Sequence, residues 1–237
     1  MLPTFHMATM PPRIESLKDS IPSILNQCSH LYIYLNNFNG YIPRILKHRK
    51  ITPFLSENHL GDLGDVGKFY LCDSWDKGYH FTADDKIIYP SGYSYYMISK
   101  IEQYQHKCAV SLHGRNFHSR GCNSYYFDCK NEFNCYMGAQ EQFAHEIGTG
   151  VMAFHSDTFM PSLNWFPYIN MTDILISVAL QKLSIPMLIA DFKRGYIKRS
   201  TRHDDSYSIH HQCNRSDKLQ TKIVNSIKWK INIVSSP

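Results

Sequence analysis

The sequence contains no run of 18 apolar residues, so it predicts no membrane-spanning helix. Only 19% of the 237 residues are charged and 43% are hydrophobic, a balance that excludes a disordered chain. The amino-terminal MLPTFHMATMPPR lacks the charged and then apolar layout of a secretion signal. The seven cysteines form no CxxC pair, which favours reduced thiols in a cytoplasmic protein over a disulfide framework.

Positive charge is concentrated near the carboxyl end of the chain. Residues 193–230 hold ten Lys or Arg against three Asp, whereas the rest of the chain is slightly acidic. Such a basic extension favours contact with an anionic surface or ligand. Because the positive charge is terminal and the aromatic-rich region lacks interleaved basic stripes, we expect no nucleic-acid partner.

The apolar pattern predicts strands that alternate with helices along one domain. Strands are expected at 4–9, 31–35, 51–55, 79–82, 109–112, 148–155 and 185–190. Helices are expected at 14–28 (with a kink or restart at Pro22), 68–75, 93–104, 172–183 (with Thr172 as N-cap) and near 219–227. This order predicts an α/β fold with a mostly parallel, twisted sheet and helices on both faces, of the Rossmann-like kind.

We therefore expect one domain over 1–192 and a basic extension over 193–237 packed on or near its cleft. Residues 114–145 are aromatic, rich in Asn and irregular, and a loop of that length in a compact domain is usually functional. Its aromatic residues either stack on a sugar or base or pack the loop onto the body of the domain.

Ligands of open α/β sheets bind beyond the carboxyl ends of the strands. Asp84 and Asp85 stand at such an end, where adjacent carboxylates repel unless cations or hydrogen-bond donors offset them. A divalent ion that bridges them to a diphosphate is one solution, and a surface turn is the other. His113 and His155 also end predicted strands.

Two further motifs carry candidate chemistry. The stretch GDLGDVGK at 61–68 is not a P-loop, but its amides and Lys68 are suited to a phosphate, unless it is simply a flexible loop. Asp173 lies in the first turn of a predicted helix, where it either serves as a general base or only offsets the helix dipole.

A zinc site is a weaker hypothesis, because the spacing of its candidate ligands fits no compact knuckle. Those candidates are Cys122, Cys129, Cys135, His113, His118 and His145. The histidines His203, His210 and His211 are interpreted as solvated residues of the basic extension.

Taken in order, the motifs resemble those of bacterial GT-A-type glycosyltransferases, near the family two-like enzymes of capsule and lipopolysaccharide biosynthesis. The resemblance covers nearly the whole chain. Its motifs are ATMPPRIESLKDSIPSILNQC at 8–28, YIYLN at 32–36, GDLGDVGKF at 61–69, FTADDKIIYPSGY at 81–93, SLHG at 111–114, GTGVMAFH at 148–155, NMTDILISVALQKLSIPM at 170–187 and DDSYSIHHQCNRSDKLQTKIV at 204–224.

The resemblance implies a role for each matched residue. Donor binding would fall to Thr9, Arg13, Asp62, Lys68, Asp84, Asp85 and Lys86. The sugar and acceptor pocket would be lined by His113, Gly148, Thr149 and Gly150. Asp173 stands where inverting members place the catalytic base, and Asp85 with His155 is the candidate pair for Mn²⁺ or Mg²⁺.

One departure from the family pattern concerns the metal. The resemblance implies three acidic residues before Ile-Ile-Tyr-Pro, and here Lys86 replaces the third. Either Asp85 still holds the ion, or Lys86 offsets the diphosphate charge directly and the metal is dispensable, or this copy is weakened.

The resemblance thus implies transfer of a hexose-type unit from a nucleotide diphosphate sugar, UDP-linked by default, to a hydroxyl of a growing surface glycan. The basic extension suggests a lipid-linked acceptor at the inner face of the cytoplasmic membrane. The alternative is a non-catalytic nucleotide- or glycan-binding domain, which Lys86 keeps open.

Overall fold

The computed structural model describes residues 2–202, 204, 206 and 217–235; His203, His210 and His211 lie outside them. The described chain forms four α-helices and thirteen strands. The helices are α1 (Ile14–Leu25), α2 (Tyr93–Gln103), α3 (Thr172–Lys182) and α4 (Lys218–Ser226). The strands are β1 (Thr4–Thr9), β2 (His30–Leu35), β3 (Ile51–Leu55), β4 (Tyr79–Asp84), β5 (Ile87–Ile88), β6 (Ala109–Ser111), β7 (Gly114–Asn116), β8 (Asn131–Phe133), β9 (Gln142–Phe143), β10 (Glu146–Ile147), β11 (Val151–His155), β12 (Met187–Ile189) and β13 (Lys198–Arg199).

Eight strands form one sheet in the order β3-β2-β1-β4-β11-β6-β12-β9. Strands β3, β2, β1 and β4 are parallel, as are β6 and β12. Strand β11 runs antiparallel to both β4 and β6, and β9 runs antiparallel to β12. The expected α/β fold with a mostly parallel sheet is confirmed and is consistent with a Rossmann-like fold, with β11 inserted in the reverse direction.

Helices cover both faces of this sheet, as predicted. Alternate residues of β11 show the two faces: Val151 and Ala153 belong to the apolar cluster that contains α1 and α2, whereas Met152 and Phe154 belong to the one that contains α3. Strands buried on both faces read as nearly continuous apolar runs, which explains why these segments show no clear alternation of apolar and polar residues.

Several local predictions need correction. No α-helix forms at 68–75: two short 3-10 helices, Gly64–Phe69 and Cys72–Ser74, flank Leu71, whose φ of 60° lies in the left-handed region. Helix α1 runs through Pro22 without a restart. The N-cap of α3 is Met171, and the Thr172 side chain bonds to Asp65 and Thr149 instead of capping the helix.

The segment 114–145 is largely irregular but contains short strands. Strands β7 and β8 form a three-stranded sheet with β10, and β9 joins the edge of the main sheet. Strand β13, from the basic extension, pairs with β5 directly after the acidic pair. Helix α4 packs on 114–145, where the Asn225 side chain accepts from the Cys122 N–H and donates to the Cys122 carbonyl.

Among the described residues, no helix is both long and apolar enough to cross a bilayer. The cysteines within the described part of the chain are free thiols.

Candidate active site

A cleft of about 560 Å³ opens at the carboxyl ends of the parallel strands β1 and β4. Its volume lies within the range of small-molecule and cofactor sites, roughly 300–1,000 Å³. Eleven of the residues to which the resemblance assigns a role line it, although they come from widely separated parts of the chain. They are Thr9, Arg13, Asp62, Lys68, Asp84, Lys86, His113, Gly148, Thr149, Gly150 and Asp173.

The two acidic residues at the end of β4 have different surroundings. Asp85 is buried, with 1% of its side chain exposed, and does not line the cleft. Its Oδ2 accepts from Thr9 Oγ1 at 2.8 Å, and its Oδ1 from Arg13 Nη1 at 3.2 Å. Burial raises the pKa of Asp85, although Arg13 and Thr9 offset part of that rise. Asp85 therefore positions Thr9 and Arg13 at the cleft wall.

Asp84 faces the cleft and is paired with two lysines. Lys68 Nζ lies 2.6 Å from its Oδ1, and Lys86 Nζ lies 3.7 Å from its Oδ2. Burial alone would raise the pKa of Asp84, but Lys68 and Lys86 outweigh it and hold the pKa well below its usual range. Asp84 is therefore a carboxylate at neutral pH whose charge is already compensated by the protein.

Gly150 and Tyr89 fix the position of Asp84. A Cβ on Gly150 would lie 2.7 Å from Asp84 Oδ2. Only glycine therefore permits the backbone just before β11 to approach the Asp84 carboxylate this closely. The Tyr89 hydroxyl donates to the Gly150 carbonyl at 2.6 Å and accepts from the Asp84 N–H at 2.9 Å. One buried tyrosine thus joins the end of β4 to the start of β11.

Lys68 lies at the centre of the polar network on the cleft floor. Only 4% of its side chain is exposed, and its Nζ also reaches Thr149 Oγ1 at 3.4 Å. Burial would lower the pKa of Lys68, but the carboxylates of Asp84, Asp65 and Asp173 reverse that effect and raise it. Lys68 is therefore a cation at neutral pH that pairs with Asp84 and is further stabilised by the nearby charges of Asp65 and Asp173.

Asp173 lies on the opposite side of this network, in the first turn of α3. Its Oδ1 accepts from the Thr149 N–H at 2.7 Å and from Thr149 Oγ1 at 2.6 Å. The described residues supply no hydrogen bond to its Oδ2. The carboxylate is therefore held in one orientation by one oxygen and keeps the other available at the cleft.

The loop 61–65 forms the rim on the β1–β2 side. Asp62 Oδ1 accepts from the Gly64 N–H at 2.8 Å and its Oδ2 from Asn37 Nδ2 at 2.7 Å. Asn36 donates from Nδ2 to the Gly64 carbonyl at 2.8 Å. Asp62 thus shapes the loop itself as well as lining the cleft.

The other wall is supplied by the segment 114–145 and by His113, which precedes it. His113 packs on Gly148, where a Cβ would lie 2.5 Å from its ring, and its buried Nδ1 has no partner among the described atoms. Burial lowers the pKa of His113, with Asp173 opposing that effect. The Arg115 guanidinium stacks over the Tyr125 ring, 4.6 Å from its centroid.

Behind that wall lies Glu146, which is fully buried and accepts from the Tyr125 hydroxyl at 3.0 Å. Burial raises the pKa of Glu146 to about 8, with Arg115 offsetting only part of the rise. Burial therefore favours the protonated form of Glu146.

The pairing of Asp85 with His155 in one metal site is wrong. Because β11 is antiparallel to β4, His155 lies beside Tyr79, at the end of the strand farthest from the acidic pair. Strand geometry puts about 16 Å between these ends. His155 is not part of the cleft.

The residues at the acidic pair do not fit a divalent cation in this arrangement. Such an ion needs carboxylate oxygens free to coordinate it. Lysines face both oxygens of Asp84, and Thr9 and Arg13 occupy those of Asp85. The described residues form one group of three or more metal-ligating side chains, and it lies elsewhere. That group includes none of the cysteines considered for zinc.

Sequence reasoning missed several residues of the cleft. Asp65 lies inside the quoted glycine-rich motif, but the sequence does not show that its side chain is buried and accepts a hydrogen bond from Thr172. Arg199 reaches the cleft because β13 pairs with β5, and a two-residue strand leaves no periodic signal in the sequence. Gln220, from α4, also lines the cleft.

Comparison of the chain with known protein families and with curated proteins finds no match.

Proposed function

We propose that this protein is a glycosyltransferase that moves a sugar from a nucleotide diphosphate donor to an acceptor hydroxyl, with inversion at the anomeric carbon. The observation that carries the proposal is that residues named from the GT-A-type resemblance converge on one cleft at the strand ends. These residues are distant in sequence, yet Lys68 bonds to both Asp84 and Thr149. Thr149 in turn bonds to Asp173, and Thr9 bonds to Asp85 beside the network.

The leaving diphosphate needs cations where its negative charge develops. Lys86 and Arg199 line the cleft on the side of the acidic pair, and Arg13 is held there by Asp85. We assign to these three side chains the stabilisation of the leaving group. Since Asp84 is already compensated by lysines, the transfer we propose needs no divalent ion at the acidic pair.

Asp173 is the proposed general base. The acceptor hydroxyl attacks the anomeric carbon, the bond from that carbon to the diphosphate oxygen breaks with its electron pair, and Asp173 Oδ2 takes the hydroxyl proton. The Thr149 contacts at 2.6 and 2.7 Å hold the carboxylate in place for this step. A positioned base of this kind contributes typically 10²–10⁴-fold.

The test is the variant Asp173→Asn with a panel of nucleotide sugars. An amide oxygen can still accept from Thr149, so the fold and UDP affinity measured by calorimetry should be unchanged. Donor turnover should fall at least about 100-fold. Glu15→Gln is the matched control, because Glu15 is exposed and, among the residues that the structure describes, pairs only with Lys18 on the surface. Turnover in Asp173→Asn equal to that of wild type would remove the assignment.

A binding module without catalysis is the second candidate, favoured by the lysines that already neutralise Asp84. The same experiment separates the two functions. Tight UDP binding by the wild-type protein with no turnover of any donor in the panel would favour the module.

A lipid-linked acceptor at an anionic membrane is the proposed setting of the reaction. Helix α4 buries Gln220 and Val224 against the body, and four lysines in and after it are exposed. They are Lys218, Lys222, Lys228 and Lys230. Each cation near such a surface contributes roughly 1 kcal/mol. Co-sedimentation with phosphatidylserine vesicles should fall steeply when all four are changed to Gln, and unchanged sedimentation would reject membrane contact through this face.

A further inference from the structure

Two histidines and an aspartate lie together at the end of the main sheet that is opposite the cleft. His155 ends β11, and Asp157 lies in the turn that follows. His106 lies in the turn after α2, with φ of 57° in the left-handed region. Thr158 Oγ1 donates to the His106 carbonyl at 2.6 Å and ties the two turns together. The cluster is therefore held by the fold and does not depend on one flexible loop.

The spacing of the cluster suits a tetrahedral metal ion. Its candidate ligand atoms all lie within 4.8 Å of one another. Asp157 Oδ2 is 3.4 Å from His155 Nδ1 and 3.7 Å from His106 Nδ1. Tetrahedral zinc, with bonds of about 2.0–2.1 Å, keeps its ligand atoms about 3.3 Å apart. Small side-chain rotations bring these atoms to that separation.

The hydrogen bonds around the rings show which nitrogens carry lone pairs. His155 Nδ1 accepts from the Asp157 N–H at 3.1 Å, so this nitrogen is unprotonated, and a metal ion bound to it would replace that backbone hydrogen bond. His106 Nε2 faces Glu102 Oε1 at 3.1 Å and is therefore the protonated nitrogen, which leaves the lone pair on Nδ1.

His106 Nδ1 and His155 Nδ1 both lie within 3.7 Å of Asp157 Oδ2, so three potential ligand atoms converge at one point. A divalent ion at this point would be within reach of all three side chains.

We propose that His106, His155 and Asp157 bind one divalent transition-metal ion of the zinc type, with water as the fourth ligand. Glu102 is a positioning residue, because a carboxylate that accepts from the far ring nitrogen orients a ligating histidine. The ion joins the turn after α2 to the turn after β11, far from the cleft and independent of the transfer reaction.

Calorimetric titration of the full chain with Zn²⁺ at pH 7.5 tests the site. We expect one equivalent to bind and the affinity to fall more than about tenfold in His155→Ala, and about tenfold in Glu102→Gln. The double variant His210→Ala with His211→Ala is the matched control, since it removes an adjacent histidine pair elsewhere in the sequence. It should bind with wild-type affinity.

A variant that leaves the core untouched keeps the proposal falsifiable. The side chain of Asp157 is 62% exposed, so Asp157→Asn should fold normally and still lose affinity at least about tenfold. Substituting Co²⁺ for Zn²⁺ reports the ligand type, because a site of two imidazoles and a carboxylate gives visible bands without a thiolate charge-transfer band.

Three results would overturn the proposal. The first is the absence of stoichiometric binding to the wild-type protein, which would leave a cluster bridged by protons alone. The second is unchanged affinity in both His155→Ala and Asp157→Asn. The third is a thiolate band with Co²⁺, which would place the ion on cysteine.

Discussion

Lys68 is the residue whose replacement best tests the electrostatics of the cleft. Lys68→Met keeps the length of the side chain but removes the cation 2.6 Å from Asp84 Oδ1. The pair is mostly buried, with 4% of the lysine and 27% of the aspartate exposed. Removing one partner of a buried pair costs about 3–5 kcal/mol, because the other charge stays buried without compensation. We expect a loss of that size in the free energy of unfolding at pH 7.

The loss should depend on pH in a defined direction. The folded-state pKa of Asp84 lies below its value in the unfolded chain, which is about 3.9. Its contribution to stability is therefore full above that unfolded value and is lost as pH falls through the folded one. The stability difference between wild type and Lys68→Met should accordingly shrink as the pH is lowered below about 4. Urea unfolding followed by circular dichroism at a series of pH values measures it.

A double-mutant cycle isolates the pair. Adding Asp84→Asn to Lys68→Met removes the uncompensated charge, so the double variant should recover about 1–3 kcal/mol relative to the sum of the single changes. Lys18→Met is the control, since its partner Glu15 is exposed and such surface pairs contribute about 0.5 kcal/mol or less. A loss below about 1 kcal/mol in Lys68→Met, or additive effects in the cycle, would refute the network described here.

Three further predictions follow from buried contacts. His6 Nε2 lies 3.1 Å from His80 Nδ1, and burial lowers the pKa of both histidines. Their contribution to stability is therefore full above the unfolded pKa of about 6.5 and is lost as the pH falls below that value. The urea midpoint should be lower at pH 5.5 than at pH 7.5, and this difference should be smaller in His80→Gln. Gly67→Ala should destabilise by about 1–3 kcal/mol in thermal unfolding, because the new Cβ would lie 2.7 Å from the Tyr34 ring. Chelation by EDTA should change UDP affinity less than twofold, since lysines already compensate Asp84; a tenfold loss on chelation would contradict this.

The residue pattern by itself determined most of the secondary structure and the fold class. Strands β1, β2, β3 and β4 and helices α1, α2 and α3 begin and end within a few residues of the predicted bounds, because apolar periodicity is a local property of the chain. The rule that ligands bind at the carboxyl ends of parallel strands also predicts that Asp84 and His113 lie at one site, and both line the cleft.

Only the tertiary structure decided strand direction and partner choice. No local signal shows that β11 is antiparallel to β4, and that single fact puts His155 beside His106 instead of beside the acidic pair. Likewise, Asp84 and Asp85 are equivalent in sequence, yet one faces two lysines at the cleft and the other is buried against Arg13. These outcomes depend on contacts between residues far apart along the chain, whose free energy is set by how the elements pack.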